Sequence, residues 1–385
     1  MGGETMRRKL PLLFGAVFLA FAAGACEGPQ GPEGPIGPEG PEGPQGPPGE
    51  DGQDGTNALN TCSDCHTSNA TIVAVEQQFE LSPHGFGNFE VRGPAYAGGA
   101  CVACHTSQGF VANATDGTAD YSDGAASMNC GTCHQIHSTF EGEDYALTTT
   151  DPVTLIVTGN EIDVSGTGVP GSNLCASCHQ GRDESPYPAW DADVATTYTV
   201  GPHYGIHYGT QANMYQGELP TEILYGLDQG TTYSPHEGAS CLGCHMGLGD
   251  DVNDIGLDGV TPGGDLFHNF TPAEAVCDDC HGATDGFDHG TVRTEVQTAV
   301  TALAQCLEAE GVATIHLDAD GVLDEFHEVE GDHPEPYVAA WLVTAATFND
   351  GSWGAHNPGF TQTLVDAART EMDANSAEAA CDYTP

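Results

Sequence analysis

The chain has 385 residues, with 56 acidic residues against seven Lys and Arg, and its formal net charge is -49 at pH 7. Nucleic acid is excluded as a partner, because phosphate binding needs clustered Lys and Arg. Fifteen cysteines in a chain of this length do not fit a small disulfide-stapled domain, so their spacing must explain them.

The first 25 residues have the pattern of an export signal. Basic residues at 7–9 precede an apolar run over 10–22, and small residues lead to Cys26. The run fits a signal peptide better than a membrane span. Its end resembles a bacterial lipobox, so we expect a lipoprotein signal peptide over 1–25 and a lipid on Cys26 that anchors the chain to a membrane. Ordinary cleavage nearby is the alternative.

Residues 26–58 contain a collagen-like repeat. Glycine recurs at every third position from Gly28 to Gly55, usually followed by Pro. Only Gly fits at the axis of a collagen triple helix, so this segment favours a trimer. The repeat carries Glu and Asp without Lys or Arg, however, and three such chains would repel one another. The alternative is a single-chain spacer of polyproline II, extended by about 3.1 Å per residue.

Six Cys-x-x-Cys-His motifs account for twelve of the fifteen cysteines. Two thiols one helical turn apart can add to the vinyl groups of haem, and the adjacent His then binds the iron. Zinc knuckles and thioredoxin-like dithiols do not explain a His after the second Cys in every motif. We therefore expect six covalent haem c groups, bound by Cys62, Cys65, His66, Cys101, Cys104, His105, Cys130, Cys133, His134, Cys175, Cys178, His179, Cys241, Cys244, His245, Cys277, Cys280 and His281.

The iron of an electron-transfer haem usually takes a second axial ligand, His or Met, which sets the potential. Seventeen histidines less the six of the motifs leave eleven, enough for six irons. Those in acidic, polar stretches are expected to be solvated: His289, His316, His327 and His333. The candidate second ligands are His84, His137, His203, His207, His236, His268 and His356, with His207 slightly preferred over His203.

Residues 59–290 form the predicted haem domain. They are rich in Gly, Asp, Thr and Asn between the motifs, with little helical or strand periodicity. The stack of haems must then serve as the core. We predict a mainly α fold with extensive irregular loops, a multihaem cytochrome c fold organised around six haems, in which each motif lies at a turn or the start of a short helix.

Residues 291–385 form a predicted helical region that completes the haem domain. Apolar residues at helical spacing predict helices over 294–310, 336–348 and 360–374, arranged as an antiparallel unit. Cys306 and Cys381 are left over from the motifs, and in an exported protein this predicts a disulfide between them. Two separate buried thiols are the alternative.

Several segments resemble multihaem cytochromes of the nitrite reductase and hydroxylamine oxidoreductase superfamily (cytochrome c-552/554-like) over roughly residues 59–372. They are SPHGF to CVACHTSQGF, NLCASCHQGR, GPHYGIHYGTQANMYQG to SPHEGASCLGCHM, FHNF and GAHNPGFTQTLVDAAR. The resemblance implies closely packed haem pairs, bis-His ligation at most sites, and roles for His268 and His356 as second ligands. The ammonia-forming nitrite reductases typically bind their catalytic haem through CxxCK, whereas every motif here ends in His and no Lys follows Lys9.

Together these features favour an electron carrier over an enzyme. We expect an exported, lipid-anchored cytochrome, facing the periplasm or the cell exterior, that transfers electrons between a membrane or periplasmic donor and another redox protein or external acceptor. The alternatives are a nitrite-reductase-like oxidoreductase acting on a small nitrogen or sulfur oxyanion, and a subunit of a cytochrome filament. Arg182 is expected either to pair with a haem propionate or to be solvated.

Overall fold

The structure is a computed structural model that describes residues 70–86, 101–118, 126–140, 142–165, 171–182, 187–188, 194–202, 204–206, 209–230, 234–247, 268–282 and 287–383. All of these belong to one unit, Gly55–Pro385. The predicted signal peptide, the tether with Cys26, the first motif (Cys62, Cys65 and His66) and the candidate ligands His203 and His207 lie outside the described residues. Among the helices that are described, none combines the length and apolar character of a membrane span.

Short helices joined by irregular segments make up the described chain before residue 290. Local caps bound some of them. Gly117, in the left-handed conformation, ends one helix, and the Asn129 side chain accepts the Gly131 N–H at the start of the next. The helices are α1 (Ala70–Glu80), α2 (Pro83–Phe86), α3 (Val102–His105), α4 (Ser107–Asp116), α5 (Cys130–Cys133), α6 (Ser172–Ala176), α7 (Gln211–Gln216), α8 (Ser240–His245) and α9 (Glu274–His281).

Three longer helices follow: α10 (Val292–Ala309), α11 (Glu335–Asp350) and α12 (Pro358–Asn375). On α10 the apolar residues recur at helical spacing and are at most 2 % exposed: Val296, Val300, Leu303 and Leu307. Every residue from 336 to 347 on α11 is buried, so α11 lies between its neighbours. Each helix lies within three residues of the segment for which the sequence predicts one.

Short antiparallel strands accompany these helices: β1 (Val153–Thr154), β2 (Glu161–Ile162), β3 (Thr197–Val200), β4 (Ala313–Leu317), β5 (Leu323–Glu328) and β6 (Gly331–Pro334). β1 pairs with β2, β4 with β5, and β3 with β6. The strands between α10 and α11 were not predicted from the sequence. The Asp318 carboxylate turns the chain between β4 and β5, since it accepts the N–H groups of Asp320 and Val322.

The main apolar core joins the C-terminal helices to residues from the middle of the chain. Met214, Leu219 and Ile223 are fully buried against this cluster. Two polar contacts fix the same interface: the Thr210 hydroxyl donates to the Ala346 carbonyl over 2.7 Å, and the Gln211 amide donates to the Asn349 carbonyl over 3.1 Å. The C-terminal helices are therefore packed directly onto the segment that carries α7.

A disulfide joins Cys306 on α10 to Cys381, with 4.8 Å between the Cα atoms. Both residues are buried in the main core. The bond attaches the 3-10 turn Ala379–Cys381 to α10 and so closes a loop that contains β4, β5, β6, α11 and α12.

We expect the double variant Cys306→Ala/Cys381→Ala to lose about 4 kcal/mol of stability in the C-terminal region, because the bond spans 75 residues and restricts the unfolded chain accordingly. Urea unfolding followed by far-UV circular dichroism measures the loss. Reduction of the unmodified protein should shift the urea midpoint in the same direction. Equal midpoints for variant and wild type would contradict this role.

Candidate haem sites

In the motifs that the structure describes, each motif His lies beside its two cysteines. Residues three and four apart share one face of a helical turn. In the third and fourth motifs the turn is closed by the backbone, since the His134 N–H donates to Cys130 and the His179 N–H donates to Cys175, both over 2.9 Å. Each closed turn therefore presents two thiols and one imidazole to the same space.

Four of the motif histidines face a second histidine ring at a similar distance. A metal bonds to an imidazole nitrogen over about 2 Å, so two rings that share one metal ion have centroids about 6 Å apart. In every pair the second ring is one of the candidate ligands from the sequence, and the spacing fits one iron between the rings. The centroid distances are 5.9 Å for His84 and His179, 6.5 Å for His268 and His134, 6.0 Å for His236 and His281, and 6.2 Å for His356 and His245.

Hydrogen bonds at Nδ1 orient three of the motif rings. His134 Nδ1 lies 2.7 Å from the Tyr145 carbonyl oxygen, and His245 Nδ1 lies 2.8 Å from that of Phe270. His179 Nδ1 lies 3.3 Å from the Gln211 side-chain oxygen. A metal-binding imidazole usually donates its other N–H in this way. These contacts leave Nε2 of each ring available to iron.

Burial favours the neutral form of two of the opposing rings, His84 and His268. It lowers the pKa of His84 to about 4, with the neighbouring charge of His179 adding to the effect. It also lowers the pKa of His268 to about 4, with His134 adding to the effect. The neutral imidazole is the form that binds a metal, so both rings are in the competent state at neutral pH without an acid–base adjustment.

The second, third and fifth motifs all lie next to the fourth. The Cys104 thiol hydrogen bonds with the Cys178 side chain and approaches the Ser177 carbonyl oxygen to 3.8 Å. Burial raises the pKa of Cys175, and the thiols of Cys241 and Cys133 raise it further. The fourth motif is thus adjacent to the second, third and fifth.

The fifth and sixth motifs are also adjacent. Burial raises the pKa of Cys244 to about 11, with the Cys277 thiol as the next largest cause. A Cβ atom added at Gly247, two residues after the fifth motif, would lie 3.5 Å from the side chain of Val276, which directly precedes Cys277. Motifs two to six therefore form one contiguous group in space.

Residues 268–270 contact three sites at once. His268 faces His134 at the third site, and its N–H donates to the Gln78 side chain over 3.1 Å. The Phe270 ring lies 4.8 Å from the ring of His84, the partner of the fourth site's His179. The Phe270 carbonyl oxygen is the acceptor for His245 at the fifth site. We call residues 268–270 the bridging segment.

Other sequence-predicted residues lie elsewhere. The ring of His137 stacks on Phe140 with centroids 5.4 Å apart. Burial, followed by the charge of Arg182, lowers the pKa of His105, so the Arg182 guanidinium lies near the second site. Sequence reasoning expected His289 to be solvated, whereas its ring lies 3.8 Å from that of His281. It also gave no role to Asp350, whose carboxylate binds His356.

The Asp144 carboxylate organises the loop that carries His137. It accepts hydrogen bonds from the N–H groups of His137, Thr139 and Phe140 and from the hydroxyls of Ser138 and Thr139. Burial works to raise the pKa of Asp144, but the bonds from Thr139, Ser138 and His137 outweigh it and lower the pKa to about 2. The loop is therefore held by the charged carboxylate.

We expect this loop to keep its full stability above pH 4, near the ordinary pKa of Asp, and to lose it as the pH falls towards about 2. Asp144→Asn should speed amide hydrogen exchange of residues 137–140 at pH 7, because the charged acceptor is gone. Exchange mass spectrometry measures both effects. Asp151→Asn, at an exposed carboxylate, is the control, and equal exchange in the two variants would disprove the role of Asp144.

No family model matches the chain, and no curated protein matches it. Among solved structures it is similar to the outer cell wall cytochrome OcwA, at 16 % identity and a TM-score of 0.45, over 77 % of this chain and 50 % of that one. It is also similar to an undecahaem cytochrome from the S-layer of Carboxydothermus ferrireducens, at 18 % identity and a TM-score of 0.43, over 80 % of this chain and 40 % of that one. The chain thus spans half or less of the length of these two structures. A likeness at this level assigns neither fold nor activity.

Proposed function

We propose that the chain is a six-haem c-type cytochrome that transfers electrons outside the cytoplasm. The observation that carries the proposal is the second histidine ring, placed 5.9 to 6.5 Å from the motif ring at four sites. A tetrahedral Cys2His2 zinc site also uses two imidazoles, but it would hold their ring centroids about 5 Å apart, closer than those seen here. A redox-active dithiol needs no second imidazole. A bis-His haem requires it, and the ring must come from outside the motif.

The residues present fit this cofactor at each of these four sites, since two thiols, a motif imidazole and an opposing imidazole converge there. The first and second sites would take their second ligands from His137, His203 and His207. The proposed sets are Cys62, Cys65 and His66; Cys101, Cys104 and His105; Cys130, Cys133, His134 and His268; Cys175, Cys178, His179 and His84; Cys241, Cys244, His245 and His356; and Cys277, Cys280, His281 and His236.

An iron held by two imidazoles exchanges one electron between its ferric and ferrous states. The protein's own residues would fix the ligand rings, exclude water from the buried sites and keep neighbouring sites close together. At the four paired sites two imidazoles would hold the iron, and this would leave no position there for a substrate. This arrangement favours the electron carrier over the nitrite-reductase-like alternative.

Location and partners form part of the same proposal. The signal peptide and the lipid on Cys26 would place the chain on a membrane facing the periplasm or the exterior, with residues 26–58 as spacer or trimerisation segment. A net charge of -49 favours docking with a positively charged redox protein or a cationic acceptor over an anionic one. The electron donor would be a membrane or periplasmic redox protein.

We expect the mature protein, produced with c-type haem maturation, to exceed its polypeptide mass by six haems. Cys175→Ala/Cys178→Ala should exceed it by five, because one attachment site is lost.

The reduced protein should be reoxidised by a soluble ferric chelate, which stopped-flow absorbance measures, and should be unaffected by nitrite or hydroxylamine. Fewer than six haems would refute the cofactor assignment, and rapid reoxidation by nitrite would favour the reductase.

We also expect each single replacement of a second ligand by Ala to convert one haem in six from low spin to high spin, because it opens one axial position. Electron paramagnetic resonance (EPR) of the oxidised protein measures the conversion. His327→Ala, at a side chain that is 58 % exposed, is the control and should leave the spectrum unchanged. A wholly low-spin spectrum from a variant would remove its residue from the ligand set. The residues to replace are His84, His236, His268 and His356.

A further inference from the structure

A buried carboxylate binds the second ligand proposed for the fifth site. Asp350 Oδ1 lies 2.6 Å from His356 Nδ1, and the Asp350 side chain has no exposed surface. Asp350 is the last residue of α11, so the helix fixes where its side chain begins. Its second oxygen, Oδ2, accepts the N–H and the hydroxyl of Ser352. The carboxylate is therefore held in one orientation, with Oδ1 directed at the imidazole.

This contact decides which nitrogen of His356 is left for iron. With Nδ1 bound to the carboxylate, Nε2 is the remaining ring nitrogen, and the ring of His245 lies 6.2 Å away. The backbone of His356 is fixed as well: its N–H donates to the Ser352 hydroxyl over 3.1 Å, and its carbonyl oxygen accepts the Ser234 hydroxyl. Position and tautomer of the ligand are thus set before any metal contact is made.

The acceptor at His356 differs from those at other site histidines. His134 and His245 donate to backbone carbonyl oxygens, and His179 faces the side-chain amide oxygen of Gln211. All three acceptors are neutral. A hydrogen bond to a carboxylate is about twice as strong as one to a neutral acceptor, and it makes the imidazole a stronger electron donor to its metal.

Resting on the haem assignment above, we propose that Asp350 is a positioning residue that lowers the reduction potential of the fifth-site haem by acting through His356. The ferric haem core carries one more positive charge than the ferrous core. A buried negative charge next to the ligand stabilises the ferric form, because Coulomb interactions are strong where water is excluded. Reduction of the fifth-site haem would take one electron from a neighbouring site and would neither form nor break a covalent bond. The haem would then lose part of this stabilisation.

The test is Asp350→Asn, which keeps the shape and an oxygen acceptor but removes the charge. We expect six low-spin haems, one of which is reduced at least tenfold more favourably, a rise of about 59 mV for a one-electron couple. Potentiometric titration followed by EPR measures both quantities. Asp324→Asn is the matched control: Asp324 is paired with His316 at 3.3 Å on the surface, outside every proposed site, and should shift no haem.

Ser352→Ala should shift the reduction potential of the fifth-site haem in the opposite direction. It removes a hydroxyl donor from Oδ2 and leaves more of the negative charge for His356, so the same haem should become harder to reduce. An unchanged or raised potential in this variant would overturn the proposal, including in the case where Asp350→Asn does not fold.

The remaining outcomes are equally decisive. Six low-spin haems with unaltered potentials in Asp350→Asn would overturn the role of Asp350 and leave the six-haem assignment standing. A high-spin haem in that variant would show that Asp350 only holds the His356 segment in place, which also overturns it. Fewer than six haems in the unmodified protein would instead refute the proposed function.

Discussion

The pairing of histidine rings, with centroids 5.9 to 6.5 Å apart, is the constraint on which the proposed haem domain would depend. His84 must reach His179, and His268 must reach His134, from distant parts of the chain. The segments between them are short helices and loops, in which the described residues form a small apolar cluster around Leu155, Val164 and Tyr215. Extensive apolar packing is found around α10, α11 and α12 instead. The fold therefore combines a region that contains the paired histidine rings with a region organised by the hydrophobic effect.

Local chemistry made much of this predictable from the sequence. The motifs are read directly from their spacing, and the periodicity of Val296, Val300 and Leu303 predicts α10. Partners remote in sequence were not predictable: β3 pairs with β6 across more than a hundred residues, and no local signal indicates it. The position of His289 was not predictable either. Its acidic surroundings predicted exposure to solvent, but its ring contacts that of His281. Which second histidine faces which motif is also a property of the tertiary structure alone.

Because basic residues are scarce, the buried carboxylates take their hydrogen bonds from other groups. With seven Lys and Arg in the chain, Asp144 and Asp350 take their hydrogen bonds from backbone N–H groups, hydroxyls and an imidazole rather than from ion pairs. The N–H and hydroxyl donors are neutral, and at Asp350 the carboxylate outweighs burial and raises the pKa of His356. Buried acids of this kind act strongly on nearby positive centres, so a cation at the proposed sites would take the place that a lysine or arginine usually fills.

The bridging segment has a consequence for how this protein can change over evolutionary time. Residues 268–270 supply the ring opposite His134, pack on His84 and accept a hydrogen bond from His245. A surface loop usually tolerates insertions and deletions, but one residue added or removed here would displace parts of three sites together. Insertions and deletions in homologous chains should therefore accumulate on either side of this segment, and its three residues should be retained or replaced together.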